Sequence, residues 1–242
     1  MIEKLDDYLV GIAIGVKYRV NFSVEDQLGS ILDSILYSKD SYFNYKVFPR
    51  VGGTLGKRIL INEKTDDQLR IDNTDIILEI QFGFDNGFSK SDYPTILRKF
   101  DENIINGVMV KFGIHQISRI GLIKRYLFPI EDLAKTFVDK TVGRTLEGVN
   151  DINLRFSKRM PVPEAFVKQN VNDWSNAIFN IIKKADTNDI FMSVDYQLYY
   201  QPYIDKPSQV KFSVFTESVE TFNKKRYLPW LNTNYIGGTD DK

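Results

Sequence analysis

The stretch Ile14–Asp26, IGVKYRVNFSVED, decides how the chain is read, because Ile120–Asp132 offers a near copy, IGLIKRYLFPIED. Sliding the chain against itself by 106 residues gives seven identities in the twenty-three positions from 14 to 36. They are Ile14/Ile120, Gly15/Gly121, Arg19/Arg125, Phe22/Phe128, Glu25/Glu131, Asp26/Asp132 and Asp33/Asp139. Ordinary residue usage gives roughly one or two at a single offset. Apolar character is also kept in register at Val16/Leu122, Val24/Ile130, Ile31/Phe137, Leu32/Val138 and Leu36/Val142, as a strand-then-helix unit used twice requires.

Each copy reads as a strand followed by a helix. Val16, Tyr18, Val20 and Phe22 alternate with Lys17, Arg19 and Asn21, the period-two pattern of a strand with one face on a core. Ser23 is placed to cap a helix whose apolar face is Leu28, Ile31, Leu32, Ile35 and Leu36. In the second copy Pro129 suits a first helical turn, and Glu131 and Asp132 lie near its positive end.

Outward from the repeat, KVFPRVGGTLGKRILIN predicts two strands about Gly52, Gly53 and Gly56, and QLRIDNTDIILEIQF a strand pair about Asp72-Asn73. A helix with the stripe Ile96, Leu97, Phe100, Ile104, Ile105, Val108 and Met109 follows, with Gly113 as its stop. In the second half INLRFSKRMPV, the stretch about Trp174–Ile182 and DIFMSVDYQLYY are candidate strands, and a closing helix covers about Glu217–Arg226. QVKFSVF, Gln209–Phe215, alternates like a strand. The plan is α+β, two β-α-β-β-β-α units (residues 8–113 and 114–231) with mostly antiparallel sheet and a loose tail at 232–242.

Composition bounds the function. The 242 residues carry thirty-two Lys+Arg against thirty-two Asp+Glu, so no global positive field marks a phosphate-neutralising protein. The absence of cysteine removes disulfides, thiolate metal sites and thiol nucleophiles, and suits a reducing cytoplasm. The opening MIEKLDDYLVGIAIGV is acidic where a secretory leader is basic, and its apolar run is far shorter than the ~20 residues of a membrane span. A cytoplasmic, non-membrane protein is expected.

Catalytic patterns are tested and fail. His115, the single histidine, permits no histidine cage, and no G-x-S-x-G elbow is present. VGGTLGKR resembles a phosphate loop but has Val51 and Arg58 where Gly and Ser/Thr are needed, so it reads as a hairpin. Asp75 and Glu79, near Asp66, Asp67 and Asp72, permit a carboxylate metal site, but periodicity reads Ile76, Leu78 and Ile80 as core with Glu79 and Gln81 facing water. No metal, cofactor or catalytic residue is assigned.

Arg19 and Arg125 are the recurring polar pair, read as mid-strand guanidiniums that need a carboxylate, a carbonyl or an anionic or partner ligand. Lys57-Arg58, Lys158-Arg159 and Lys224-Lys225-Arg226, with loop tyrosines such as Tyr42, Tyr199 and Tyr203, are the alternative, a nucleic-acid surface.

RIGLIKRYLFPIED, Arg119–Asp132, taken with IGVKYRVNF and the late strand DIFMSVD, resembles a sporadically distributed prokaryotic family of uncharacterised proteins of about this length, with a central R-[IL]-G-x-x-[RY] strand. The resemblance implies a prokaryotic defence-type or toxin-related setting and transfers no catalytic residue. Three functions are therefore carried forward. They are a non-enzymatic interaction or scaffold subunit with a partner protein, a nucleic-acid-binding accessory subunit of a guided or nuclease complex, and a carboxylate-dependent hydrolase.

Overall fold

The computed structural model describes residues 2–129, 152–161, 172–183 and 189–236. Its strands are β1 (Leu9–Tyr18), β2 (Arg50–Thr54), β3 (Lys57–Asn62), β4 (Asp67–Asp72), β5 (Asp75–Gln81), β6 (Ile117–Phe128), β7 (Ile152–Met160), β8 (Trp174–Lys183) and β9 (Ile190–Ile204). They form one sheet in the order β2-β3-β4-β5-β1-β6-β9-β8-β7, with every neighbouring pair antiparallel. The two segments quoted first are thus the two central strands, side by side.

Strand alternation separates the two faces of the sheet. Ile12, Ile14 and Val16 of β1 are buried with Ile76, Leu78 and Ile80 of β5, Ile120 and Leu122 of β6, and Val194, Tyr196 and Leu198 of β9. All join one hydrophobic cluster with the helices. These are α1 (Ser23–Leu36), which buries Val24, Leu28, Ile31 and Ile35, and α2 (Tyr93–Lys99), which runs on through wider, π-type turns over Phe100–Met109. After β9 come α3 (Phe212–Phe222), wide turns over Asn223–Tyr227, α4 (Leu228–Leu231) and a last turn to Ile236. The cluster takes one face of every strand but the edge strand β2, and among the described residues the other face of the sheet has no helix on it.

The glycine-rich segment is the expected hairpin, β2 and β3 joined at Leu55-Gly56. Gly53 (φ +112°) and Gly56 (φ +76°) adopt positive φ, where a β-carbon is strained. Core-facing Ile76, Leu78 and Ile80, with Glu79 turned away, follow the period-two reading of β5.

Three local expectations are corrected. The first strand is Leu9–Tyr18 and ends before Val20 and Phe22, which are 52% and 69% exposed. Pairing with β5 on one side and β6 on the other holds residues 9–18 extended, whereas the alternation after Tyr18 meets no neighbour to bury it. Ser23 is the first helical residue and not the cap; the Asn21 side-chain oxygen accepts from the Ser23 backbone N–H at 3.1 Å. The segment QVKFSVF runs from Gln209, the last residue of a 3-10 turn, into the first turn of α3, because Phe212, Phe215, Val219 and Phe222 form a helical stripe into the core. The helix expected from Pro129 into the 130s lies outside the described residues.

The two expected units share one sheet and one core. Asn232, after α4, is tied to the start of the chain. The Asn232 side chain donates to Ile2 O at 2.8 Å and accepts from Ile2 N–H at 3.0 Å, which removes Asn232 from the predicted loose tail; residues 237–242 lie outside the described set.

Candidate functional site: a trough on the open sheet face

In the β1–β6 ladder, Gly15 lies directly opposite Gly121. Outward-facing positions without side chains leave a gap in the middle of the open face. Its borders follow from register. Ile77 stands beside Gly15 and Gln197 beside Gly121. The next outward row is Asp75, Lys17, Arg119, Tyr199 and Trp174, and the row on the other side is Glu79, Ala13, Ile123 and Asp195. The result is a trough of about 90 Å³ with a backbone floor, Ala13, Ile77 and Ile123 as apolar walls, and Lys17, Arg119 and Asp195 at its rim. A β-carbon on Gly121 would stand 4.0 Å from Asp195 Oδ1, so that carboxylate overhangs the gap. One on Gly15 would press to 3.2 Å of Ile77 Cγ1.

One continuous polar line fixes the rim. Arg119 Nη1 donates to the Tyr199 hydroxyl at 3.3 Å, that hydroxyl donates to Gln197 Oε1, and Gln197 Nε2 donates to Asp195. Burial pushes the Asp195 carboxyl above the usual carboxylate range, against the hydrogen bond from Gln197 and the charges of Arg119 and Arg155. Tyr199 stacks on Trp174 at 3.9 Å between ring centres with planes 6° apart. Arg119 Cζ lies 5.5 Å from the Tyr199 ring and Arg159 Cζ 4.8 Å from Trp174. The outward surface of β6, β9, β8 and β7 thus carries an Arg-Tyr-Trp-Arg ridge beside the trough.

Beyond the trough, carboxylates are committed to arginines. Arg70 Nη2 pairs with Asp75 Oδ1 at 2.9 Å and Arg125 Nη2 with Glu79 Oε2 at 3.0 Å. Asp75 and Glu79, the carboxylates considered for a metal, are thereby partnered, and among the described residues no three His, Asp or Glu side chains gather as a cation site.

The recurring arginines are not brought together. Arg125 lies on β6 opposite Gly11, whereas Arg19 lies in the exposed loop after β1, past the Tyr18–Ile117 pair. The separation along the strand is roughly 25 Å at ~3.3 Å per residue. They form no joint site between the halves, because Arg19 is outside the ladder that positions Arg125. Arg19 Nη1 reaches Gln116 Oε1 at 3.4 Å and shares a surface cleft with His115 and Lys206; His115 is exposed, in the turn before β6.

The basic clusters are dispersed too. Lys57 and Arg58 lie on β3 and Lys158 and Arg159 on β7, seven strands apart, roughly 34 Å at ~4.8 Å per step. Lys224, Lys225 and Arg226 belong to the helical layer, where Arg226 shares a groove with Lys158 and the aromatic group Phe156, Phe179, Tyr227 and Trp230. Of these cations only Arg159 joins the ridge.

Sequence reasoning paired Gly15 with Gly121 as a repeat but did not place them face to face. The signal for the flanking strands was present as well. Asp75 pairs with Lys17 and Asp195 with Ile123, and Lys17 and Ile123 stand 106 positions apart; aligned on that register, DIILEIQ and DYQLYYQ share Asp, Leu and Gln. Trp174 carried no signal, because its stacking partner Tyr199 is twenty-five residues away and meets it only through the β8–β9 ladder. Comparison with known families finds no family model that matches the chain, and no curated protein matches it. The resemblance read from RIGLIKRYLFPIED therefore rests on those residues alone.

Proposed function

We propose that the protein is a non-enzymatic interaction subunit that engages an acidic surface of a partner protein through the open face of its sheet, in a prokaryotic defence-type operon. The observation that carries the reading is the ridge Arg119-Tyr199-Trp174-Arg159 on a face that no described helix covers. Trp, Tyr and Arg are the residues that anchor protein interfaces. Their mutual stacking holds them in one arrangement before a partner arrives, which lowers the entropy cost of docking. The two guanidiniums favour carboxylates opposite.

The nucleic-acid reading is weaker on the same geometry. Base stacking needs a free aromatic face, and the faces of Tyr199 and Trp174 are turned to each other and to Arg119 and Arg159. We further propose that the sheet is a doubled unit. An axis through the Gly15–Gly121 pair relates β1 to β6, β5 to β9, β4 to β8 and β3 to β7.

The test is affinity capture from the native host with wild type, Trp174→Ala and Arg159→Glu. A protein retained in stoichiometric amount by wild type and lost by both variants, with their melting temperatures unchanged, is the expected outcome. A salt-sensitive gel shift with single- or double-stranded nucleic acid, abolished by the same variants, would decide for the nucleic-acid alternative.

A further inference from the structure

Two cations, Lys17 and Arg119, and one carboxylate, Asp195, line the trough without a direct ion pair. Lys17 and Arg119 face each other across the β1–β6 ladder, a like-charge cross-strand pair that is unfavourable by itself. The nearest acid by register, Asp75, is held by Arg70 at 2.9 Å. Among the described residues neither Lys17 nor Arg119 has a carboxylate within 4.0 Å, and Asp195, across the gap, has no cation within that distance. Two positive groups therefore stand on one side of a backbone-floored gap and one carboxylate free of an ion pair on the other, with Ile77 in the row between them and Ala13 and Ile123 beside Asp195. Tyr199 and Gln197 tie Arg119 to Asp195 and hold the two ends at a set spacing.

We propose that this trough binds a small zwitterion of the α-amino-acid class, with its carboxylate on Arg119 and Lys17 and its ammonium on Asp195. The charge order matches, and an ammonium at Asp195 stabilises a carboxylate that its surroundings otherwise disfavour. The apolar walls take a short aliphatic side chain. Size limits the ligand: a water needs roughly 10–15 Å³ of such space, so about 90 Å³ holds a handful of waters or one small amino acid and no aromatic one. The inference goes beyond the docking reading and does not depend on it, since the trough's charges are complete without a partner.

The experiment is calorimetric titration of the full-length protein with glycine, alanine, serine, valine and leucine, each beside its N-acetyl and carboxamide forms. At least one free amino acid is expected to bind, with both blocked forms weakened tenfold or more, since each loses one charged contact. Asp195→Asn is expected to weaken binding tenfold or more. Gly121→Val, which places a side chain in the trough on the face away from the core, is expected to abolish it. Circular dichroism of both variants establishes that they fold. If Gly121→Val does not fold, Gly121→Ala replaces it, because its added carbon has only ordinary contacts, 3.4 Å or longer. No binding by any free amino acid at millimolar concentration overturns the proposal, as does equal binding of the blocked forms or indifference to both substitutions. Partner capture is read in a separate assay, so failure here leaves the docking reading standing, and the reverse also holds.

Discussion

Lys124 shows what a single residue does in this core. It sits on the core-facing side of β6 with no exposed surface, where the alternation of Ile120, Leu122, Tyr126 and Phe128 calls for an apolar side chain. Its ammonium donates to Asp6 Oδ1 at 2.7 Å and Glu220 Oε1 at 3.0 Å and lies 4.6 Å from the Tyr93 ring. The Tyr93 hydroxyl donates to the same Glu220 oxygen at 2.8 Å. One lysine thus ties the start of the chain, α2 and α3 to the central sheet. Burial, together with the nearby carboxylates, pushes the Tyr93 hydroxyl well above its usual range. Asp6 and Glu220 keep 54% and 41% of their side chains exposed, so losing the lysine leaves them partly solvated, and the cost falls at the low end for a broken buried pair. Lys124→Ala is expected to lower stability by about 3 kcal/mol. Lys124→Met, which keeps the packed stem, should lose no more than about half of that. Urea denaturation of both variants measures the difference; equal losses would mean that the ion pair, and not the packing of the stem, sets the cost.

At the scale of elements, local signals were legible where local chemistry decides. The hairpin β2–β3 was readable because Gly52, Gly53 and Gly56 lie between apolar runs, and two of the three take positive φ. A β-carbon on Gly53 would meet Lys57 O at 2.4 Å in addition to the strained φ. Gly53→Ala is therefore expected to cost about 2 kcal/mol or more. Because the hairpin sits at the sheet edge, the loss should appear as faster hydrogen exchange confined to β2 and β3. Exchange rising uniformly across the sheet would instead make the hairpin part of the global folding unit. Where neighbours decide, reading the segment alone failed. Val20 and Phe22 keep strand periodicity but lie past the last residue that β6 pairs, and QVKFSVF alternates yet folds as helix because its phenylalanines also repeat at helical spacing. Two periodicities fit a short apolar segment equally well, and packing selects one.

At the scale of the whole molecule, the central contact is between two strands that begin the two halves of the chain. That arrangement predicts how a half behaves. A fragment of residues 2–113 leaves the long central strand β1 with one unpaired edge, a template for another strand. If the sheet is a doubled unit, β1 should pair with β1 of a second fragment about Gly15. The fragment is thus expected to associate into dimers by light scattering, and a stable folded monomer would count against the doubled-unit reading.

The sequence by itself determined the class of fold, the hairpin, and the core stripes of β5 and α2, since all of these are set by periodicity and turn chemistry along the chain. Only the tertiary structure decided that Gly15 and Gly121 face each other, that Arg19 and Arg125 stand far apart, and that Arg119, Tyr199, Trp174 and Arg159 make one ridge. The reason is physical. A period-two pattern states which face a residue takes, but not which strand lies beside it. In an antiparallel sheet the chemistry of a surface is built across strands, from residues that register brings together over tens of positions of sequence.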